Sequence, residues 1–376
     1  MGSHAVRLEA AGAAVTVVSA ERAVTAWTGR YAGPWWNAAE VSPGSVCAGP
    51  LVTASVDRNA YDDLAFAVTQ APHTSTTYAR ERMLVAGDVS AGVVRAVTSG
   101  SGLAYRSEPS AGSLAVVGRR AEDVATATAR LAREVVRGVL LRDGWTVLHA
   151  SAVVRDGRVI LTLGGKGAGK TTTAVALAHR YRLGLLANDR VFVRPAGNGG
   201  VDVLPWPAAA AVGLGLLDAL GWFDVARERL EAGEELHPTQ KQQVTEALLA
   251  GGRTPLWEGG KELKAQIFPD QFSRWFGLTL ATRGQAAALV FPRVEAGAVP
   301  ALEDRGRVLE DGDFMSGATE DRYPDVLGLV RVDGGGAPEA RREVARRLAG
   351  LPHHDVVLGH DPAANADLLA KATGCA

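Results

Sequence analysis

The sequence predicts an α/β protein in two parts: a β-rich α+β region, then a domain built around one strand–loop–helix unit. Three observations carry this. Short β-rich runs punctuated by Gly, Ser and Pro fill the first 118 residues. A long amphipathic segment follows at 121–144. From residue 145 onward, strand-like and helical runs alternate around a glycine-rich loop at 164–171. A chain of 376 residues is long enough for two hydrophobic cores. The expected divisions are 1–118, a connecting helix at 119–144, and 145–376.

In the first part AAVTVVSA (13–20), RMLVAGDV (82–89), AGVVRAVTS (91–99) and GSLAVVG (112–118) predict strands joined by turns. GPWWN (33–37) predicts a turn followed by core-packed tryptophans. In the long helix Val124, Thr128, Leu131, Val135 and Val139 recur at three- and four-residue spacing. Acids occupy its first turn and Gly144 stops it.

The second part opens with WTVLHASAVV (145–154) and RVILTLGG (158–165), two strands whose turn at Arg155-Asp156-Gly157 predicts a hairpin. The glycine loop and the helix TTTAVALAHRYR follow, then LLANDRVFV (185–193) as one strand. VDVLPWP (201–207) reads as strand then turn, 208–221 as a glycine-interrupted helix, 238–251 as a helix and 252–275 as loop. AAALVFPRV (286–294) reads as a buried strand ending at Pro292, and VLGLVRVD (326–333) as another strand. A helix at 338–350, a strand in HDVVLGHD (354–361) and a final helix complete the chain.

Composition excludes several classes. A net charge of −1 gives no bulk attraction to nucleic acid or an anionic membrane. Arg341, Arg342, Arg346 and Arg347 read as the wet face of a helix. Two cysteines, Cys47 and Cys375, exclude a disulfide scaffold and suit a reducing cytoplasm, where we expect the protein. No apolar run is long enough for a membrane span, and no secretory signal is expected.

GGKGAGKT (164–171) fits the pattern G-x-x-x-x-G-K-[ST] in its required context, strand before and helix after. Gly164, Gly165, Gly167 and Gly169 let successive main-chain N–H groups turn inward, with Lys166 and Ala168 between them. The helix beginning near Lys170 aims its positive end at the same point. The pattern thus predicts a nucleotide whose phosphates lie over 164–172. Lys170 would reach the β and γ oxygens, Thr171 would ligate Mg²⁺, and Thr172 would complete the cradle. Asp189, on the next strand, is the expected second Mg²⁺ anchor.

LHASAV (148–153), GGKGAGKTTTAVALA (164–178) and LLANDRV (185–191) together resemble the C-terminal domain of the HPr kinase/phosphorylase family. Phosphoenolpyruvate carboxykinases share that broad fold. The motifs cover about residues 145–195, and LPWP (204–207) and FPR (291–293) extend a looser likeness. The resemblance implies an ATP- and Mg²⁺-dependent kinase acting on a hydroxyl of a protein, peptide or small metabolite. It implies a metal role for Asp189. It also implies a base at position 188, helped by the strand histidine, His149.

This chain departs from the pattern, because position 188 is Asn188. An amide takes no proton at neutral pH, although it can orient a hydroxyl or ligate a cation. Three readings stay open. His149 could be the base, since imidazole ordinarily titrates at about 6.5. Positioning and charge neutralisation could suffice, since phosphoryl transfer has a loose transition state. Or transfer is lost, leaving a nucleotide-binding regulator or assembly module. On the acceptor side Lys261, Lys264 and Arg293 are candidates for gripping negative charge. His237, in ELHP, reads as a turn residue, and the pair His353-His354 and His360 lack metal-ligand spacing. The expected partners are ATP, Mg²⁺ and a hydroxyl-bearing acceptor, with no nucleic acid and no membrane; a homo-oligomer is left open.

Overall fold

The computed structural model describes residues 2–44, 49–88, 90, 92–315 and 324–376. Cys47, and the ends of two expected strands at Val89 and Ala91, lie outside the described residues. The chain is mixed α/β and forms two compact units, Met1–Trp145 with Met315–Ala337, and Thr146–Phe314 with Pro338–Ala376.

A nine-stranded sheet organises the first unit. Its central strands Ala13–Ser19, Leu51–Val56 and Ser113–Gly118 run parallel, and the remaining pairs are antiparallel. Two helices that the β-rich reading did not place also lie in this region, Arg22–Ala32 and Arg58–Gln70. Asp57 starts the second by accepting a hydrogen bond from the Ala60 N–H over 3.0 Å. Trp35 and Trp36 are buried, as the GPWWN stretch predicts.

The long helix spans Ala121–Arg142 and packs inside this unit, on Arg22–Ala32 and the parallel strands. Its apolar stripe at Val124, Thr128, Leu131 and Val135 is buried. So are Arg133, Glu134 and Arg137, which no amphipathic pattern predicts. Arg133 packs on Tyr31, donating to its hydroxyl over 3.0 Å, and the segment 324–337 lies against the helix at Arg137, Gly138 and Arg142. A Cβ placed on Gly138 would lie 2.2 Å from the Leu329 carbonyl oxygen, so only glycine permits that approach. Arg142 donates to the Val330 carbonyl over 3.1 Å, and Arg137 donates to the Gly334 carbonyl.

The expected strand at 326–333 is absent. The Asp325 carboxylate accepts from the N–H groups of Leu329, Val330 and Arg331, at 2.7, 3.0 and 2.8 Å, and folds the segment into bends.

In the second unit the main sheet runs Thr146–Leu148, Val191–Pro195, Val201–Pro205, Gly284–Val294, Arg158–Leu163, Ala150–Arg155, Gly184–Ala187. His353–Leu358 adds in parallel to Gly284–Val294. Ala150–Arg155 and Arg158–Leu163 form the predicted hairpin, turned by Asp156 and Gly157 at φ 50° and 77°. The core is Val, Leu and Ala from these strands, with Phe291, Phe314, and Val344 and Leu348 of the helix Pro338–Leu348.

Several expectations change here. LLANDRVFV is two strands, Gly184–Ala187 and Val191–Pro195, with a bend at 188–189. The 208–221 helix is a strand, Ala210–Val212, then a helix Leu214–Ala219, divided at Gly213. The loop expected at 252–275 contains three short strands and most of the helix Pro269–Phe276. The buried strand continues through Pro292 to Val294. Arg347 leaves the wet face of its helix and donates to the carbonyls of Ala196 and Gly200, at 2.5 and 2.9 Å.

Candidate functional site

Two antiparallel segments, 146–155 and 184–195, break at the same level. Leu148 faces Val191 on one side of the break and Ala152 faces Ala187 on the other. The register therefore sets His149–Ser151 opposite Asn188–Arg190, three residues against three. Ala150 also faces Leu163, the last residue of the strand that feeds the glycine loop. One break thus gathers the histidine, the Asn-Asp bend and the loop.

The loop has the strained geometry its glycines predict. Gly164, Gly167 and Gly169 have φ of 142°, 87° and 97°. A Cβ on Gly169 would lie 2.7 Å from Val294 Cγ2, and one on Gly164 2.8 Å from Ala168 Cβ. The helix Lys170–Tyr181 starts directly after this turn. The Lys170 ammonium bends back onto the loop, donating to the carbonyls of Gly164 and Gly165 over 2.6 and 3.2 Å. Lys166 is exposed, whereas Thr171 and Thr172 are half-buried.

Two hydrogen bonds lock the first helical turn to the break. Ser151 Oγ donates to the Lys170 carbonyl over 2.6 Å, and Thr171 Oγ1 donates to the Asn188 carbonyl over 3.2 Å. Asn188 is only 4% exposed, and its Oδ1 has no hydrogen-bond partner among the described residues. A buried amide oxygen in that state is costly unless something else meets it. Asp189 points outward, with its side chain 51% exposed. A surface carboxylate one residue from the carbonyl that takes the Thr171 hydroxyl offers hard oxygens of the kind Mg²⁺ takes.

His149 donates its main-chain N–H to the Asp313 carbonyl over 2.7 Å. The Asp313 carboxylate takes both bonds of a bidentate contact with Arg307, each 2.9 Å. Arg190 Nε donates to His149 Nε2 over 3.3 Å and lies 3.7 Å from Asp189 Oδ2. Its guanidinium carbon stands 5.6 Å from the centre of the Trp206 ring. Sequence reasoning missed Ser151, Arg190 and Trp206, although all three fall inside quoted motifs. The Asp313–Arg307 pair carried no sequence signal, because the fold brings it from over a hundred residues away.

The expected acceptor-side cations are not gathered in the same way. Lys264 pairs with Glu262 at 3.2 Å, and Arg293 pairs with Glu303 at 2.7 Å and with Glu295. Lys261 is exposed on the short hairpin strand Lys261–Leu263. No group of three or more His, Cys, Asp or Glu suited to a metal ion occurs among the described residues. No helix of the described residues is long and apolar enough to cross a membrane.

No family model and no curated protein matches this chain. Among solved structures it is similar to the Hpr(Ser) kinase/phosphatase from Coxiella burnetii. That likeness has 15% identity over 43% of this chain and 68% of the other, with a TM-score of 0.21. At that TM-score the likeness is too loose to carry activity across.

Proposed function

We propose that the second unit is an ATP- and Mg²⁺-dependent phosphotransferase acting on a hydroxyl of a small metabolite or of a peptide or protein serine. The single observation that supports it most is the convergence of a complete glycine loop with the Asn188–Asp189 bend, joined through Thr171. The residues present fit the ligands. The loop turns so tightly that a Cβ on Gly164 or Gly169 would overlap Ala168 or Val294, while Gly165 and Gly167 face open space, and Asn188 Oδ1 is a buried acceptor without a partner among the described residues.

In this reading the N–H groups of 164–172 and the positive end of the helix hold the phosphates. Lys170 leaves the Gly164 and Gly165 carbonyls to neutralise β and γ oxygens. Thr171 and Asp189 would hold Mg²⁺, which supplies charge neutralisation when bound. Asn188 orients the acceptor hydroxyl, and His149 is held beside it. Positioning and electrostatics supply most of the rate in such a site.

Asn188 favours one rival, a nucleotide-binding regulator without transfer activity, because an amide replaces the base that the resemblance implies. The test is calorimetric binding of ATP with and without Mg²⁺, then release of labelled phosphate onto candidate hydroxyl acceptors, with Lys170→Ala as control. Tight binding with no transfer to any acceptor would select the rival. No binding would sink both.

A further inference from the structure

We infer that Arg190 is a positioning residue that holds His149 in a single orientation and a single tautomer, the one protonated at Nδ1. Its catalytic meaning rests on the phosphotransferase reading; the geometry does not. A guanidinium donates hydrogen bonds and accepts none. The ring nitrogen it meets must therefore present a lone pair. Arg190 Nε meets His149 Nε2 at 3.3 Å, so Nε2 is the bare nitrogen and the ring proton sits on Nδ1.

Arg190 is itself held. Its side chain is 22% exposed, and its guanidinium lies over the buried indole of Trp206, which stacks on Phe192 with ring centres 5.1 Å apart. This gives the LPWP turn a purpose that its sequence alone does not show: Trp206 is the plate under Arg190. On its other side Arg190 faces Asp189, and the Asp313–Arg307 pair stands behind the His149 main chain. Asp189 therefore anchors the cation that fixes the histidine, which couples the expected metal position to the ring.

The consequence is specific. While the Arg190 bond stands, Nε2 does not take a proton from an acceptor hydroxyl. His149 then contributes a donor at Nδ1, and Arg190 must withdraw before Nε2 becomes a base. Among the readings left open by Asn188, this favours transfer by positioning over transfer by an imidazole base.

The test is ¹⁵N–¹H long-range correlation of histidine side chains in the full chain, without nucleotide, at pH 8. The chain has eight histidines, and loss of one signal set in His149→Gln assigns the ring. We expect wild-type His149 with bare Nε2 and protonated Nδ1. We expect Arg190→Leu to lose that preference and move to the Nε2–H form that an unconstrained imidazole favours, and Arg190→Lys to restore it in part. A wild-type ring protonated at Nε2 overturns the inference, whether or not the variants fold. So does an unchanged tautomer in folded Arg190→Leu. Because the spectrum needs no nucleotide, the predicted tautomer in a protein that transfers no phosphate would count against the proposed activity alone.

Discussion

The hydroxyl of Thr171 donates to the main-chain carbonyl of Asn188 over 3.2 Å. This ties the first turn of the helix after the glycine loop to the bend that carries Asp189. The spacing between loop and carboxylate is therefore set by the protein itself, a form of preorganisation that reduces what binding must order.

Replacing Thr171 with Val keeps the shape and removes the hydroxyl. Under the phosphotransferase reading this removes a Mg²⁺ ligand, and binding of Mg²⁺–ATP should weaken by roughly 10-fold or more, about 1.4 kcal/mol per factor of ten. Binding of ATP with the metal chelated should fall much less. Calorimetry with and without EDTA separates the two; equal losses would remove Thr171 from the metal site.

Gly169→Ala should destabilise the second unit by about 1–3 kcal/mol, through positive φ and overlap with Val294. Gly165→Ala is the contrast, since a Cβ there meets nothing within 4 Å. Urea unfolding should show a lower midpoint for the first variant and little change for the second.

The loop and its helix were legible because the chemistry is local: glycines at positive φ, then Lys170 and Thr171 at a helix start. LLANDRVFV was legible in its residues but not in its shape. Its apolar run reads as one strand, yet His149–Ser151 across from it breaks at the same level, and only pairing reveals that. VLGLVRVD misled for a related reason. Its Val and Leu suggest a strand, while the Asp325 carboxylate captures three consecutive N–H groups that a strand would have used. The buried charges of the long helix were invisible, since what meets them is distant in the chain: Tyr31 for Arg133 and the Gly334 carbonyl for Arg137.

Glu134 yields a pH prediction. Burial pushes its carboxyl up, and the charges of Arg133 and Arg137 with the Arg137 hydrogen bond outweigh this, leaving it below the ordinary 4.5. A lowered folded value means stability that is present above about 4.5 and lost as pH falls through the folded value. Glu134→Gln leaves two buried arginines without their carboxylate and should cost about 3–5 kcal/mol at pH 7. Denaturation curves between pH 7 and pH 3 should show the wild-type advantage shrinking below 4.5. A constant gap would mean the carboxylate charge is not what holds the arginines.

Asn188→Asp tests the site most directly, because it places a carboxylate where an amide is 4% exposed and its oxygen lacks a partner among the described residues. Desolvation should raise the new carboxyl above its ordinary value. A raised folded value gives stability that is present below the unfolded value and lost as pH rises through the folded one. The variant should therefore match wild type at about pH 4 and fall behind it by a few kcal/mol at pH 8. Under the phosphotransferase reading Mg²⁺ with ATP stabilises both proteins, by roughly 2.7 kcal/mol at about 100 times Kd, and narrows the gap to the extent that a cation met by the new carboxylate makes the variant bind more tightly. Under the phosphotransferase reading the restored acid should also raise the transfer rate. Thermal scans at both pH values, with and without Mg²⁺–ATP, read the stability arm independently of any acceptor. If Asn188→Asp equals wild type at pH 8 without metal, position 188 is not the desolvated site that its 4% exposure implies, and its role toward the acceptor falls.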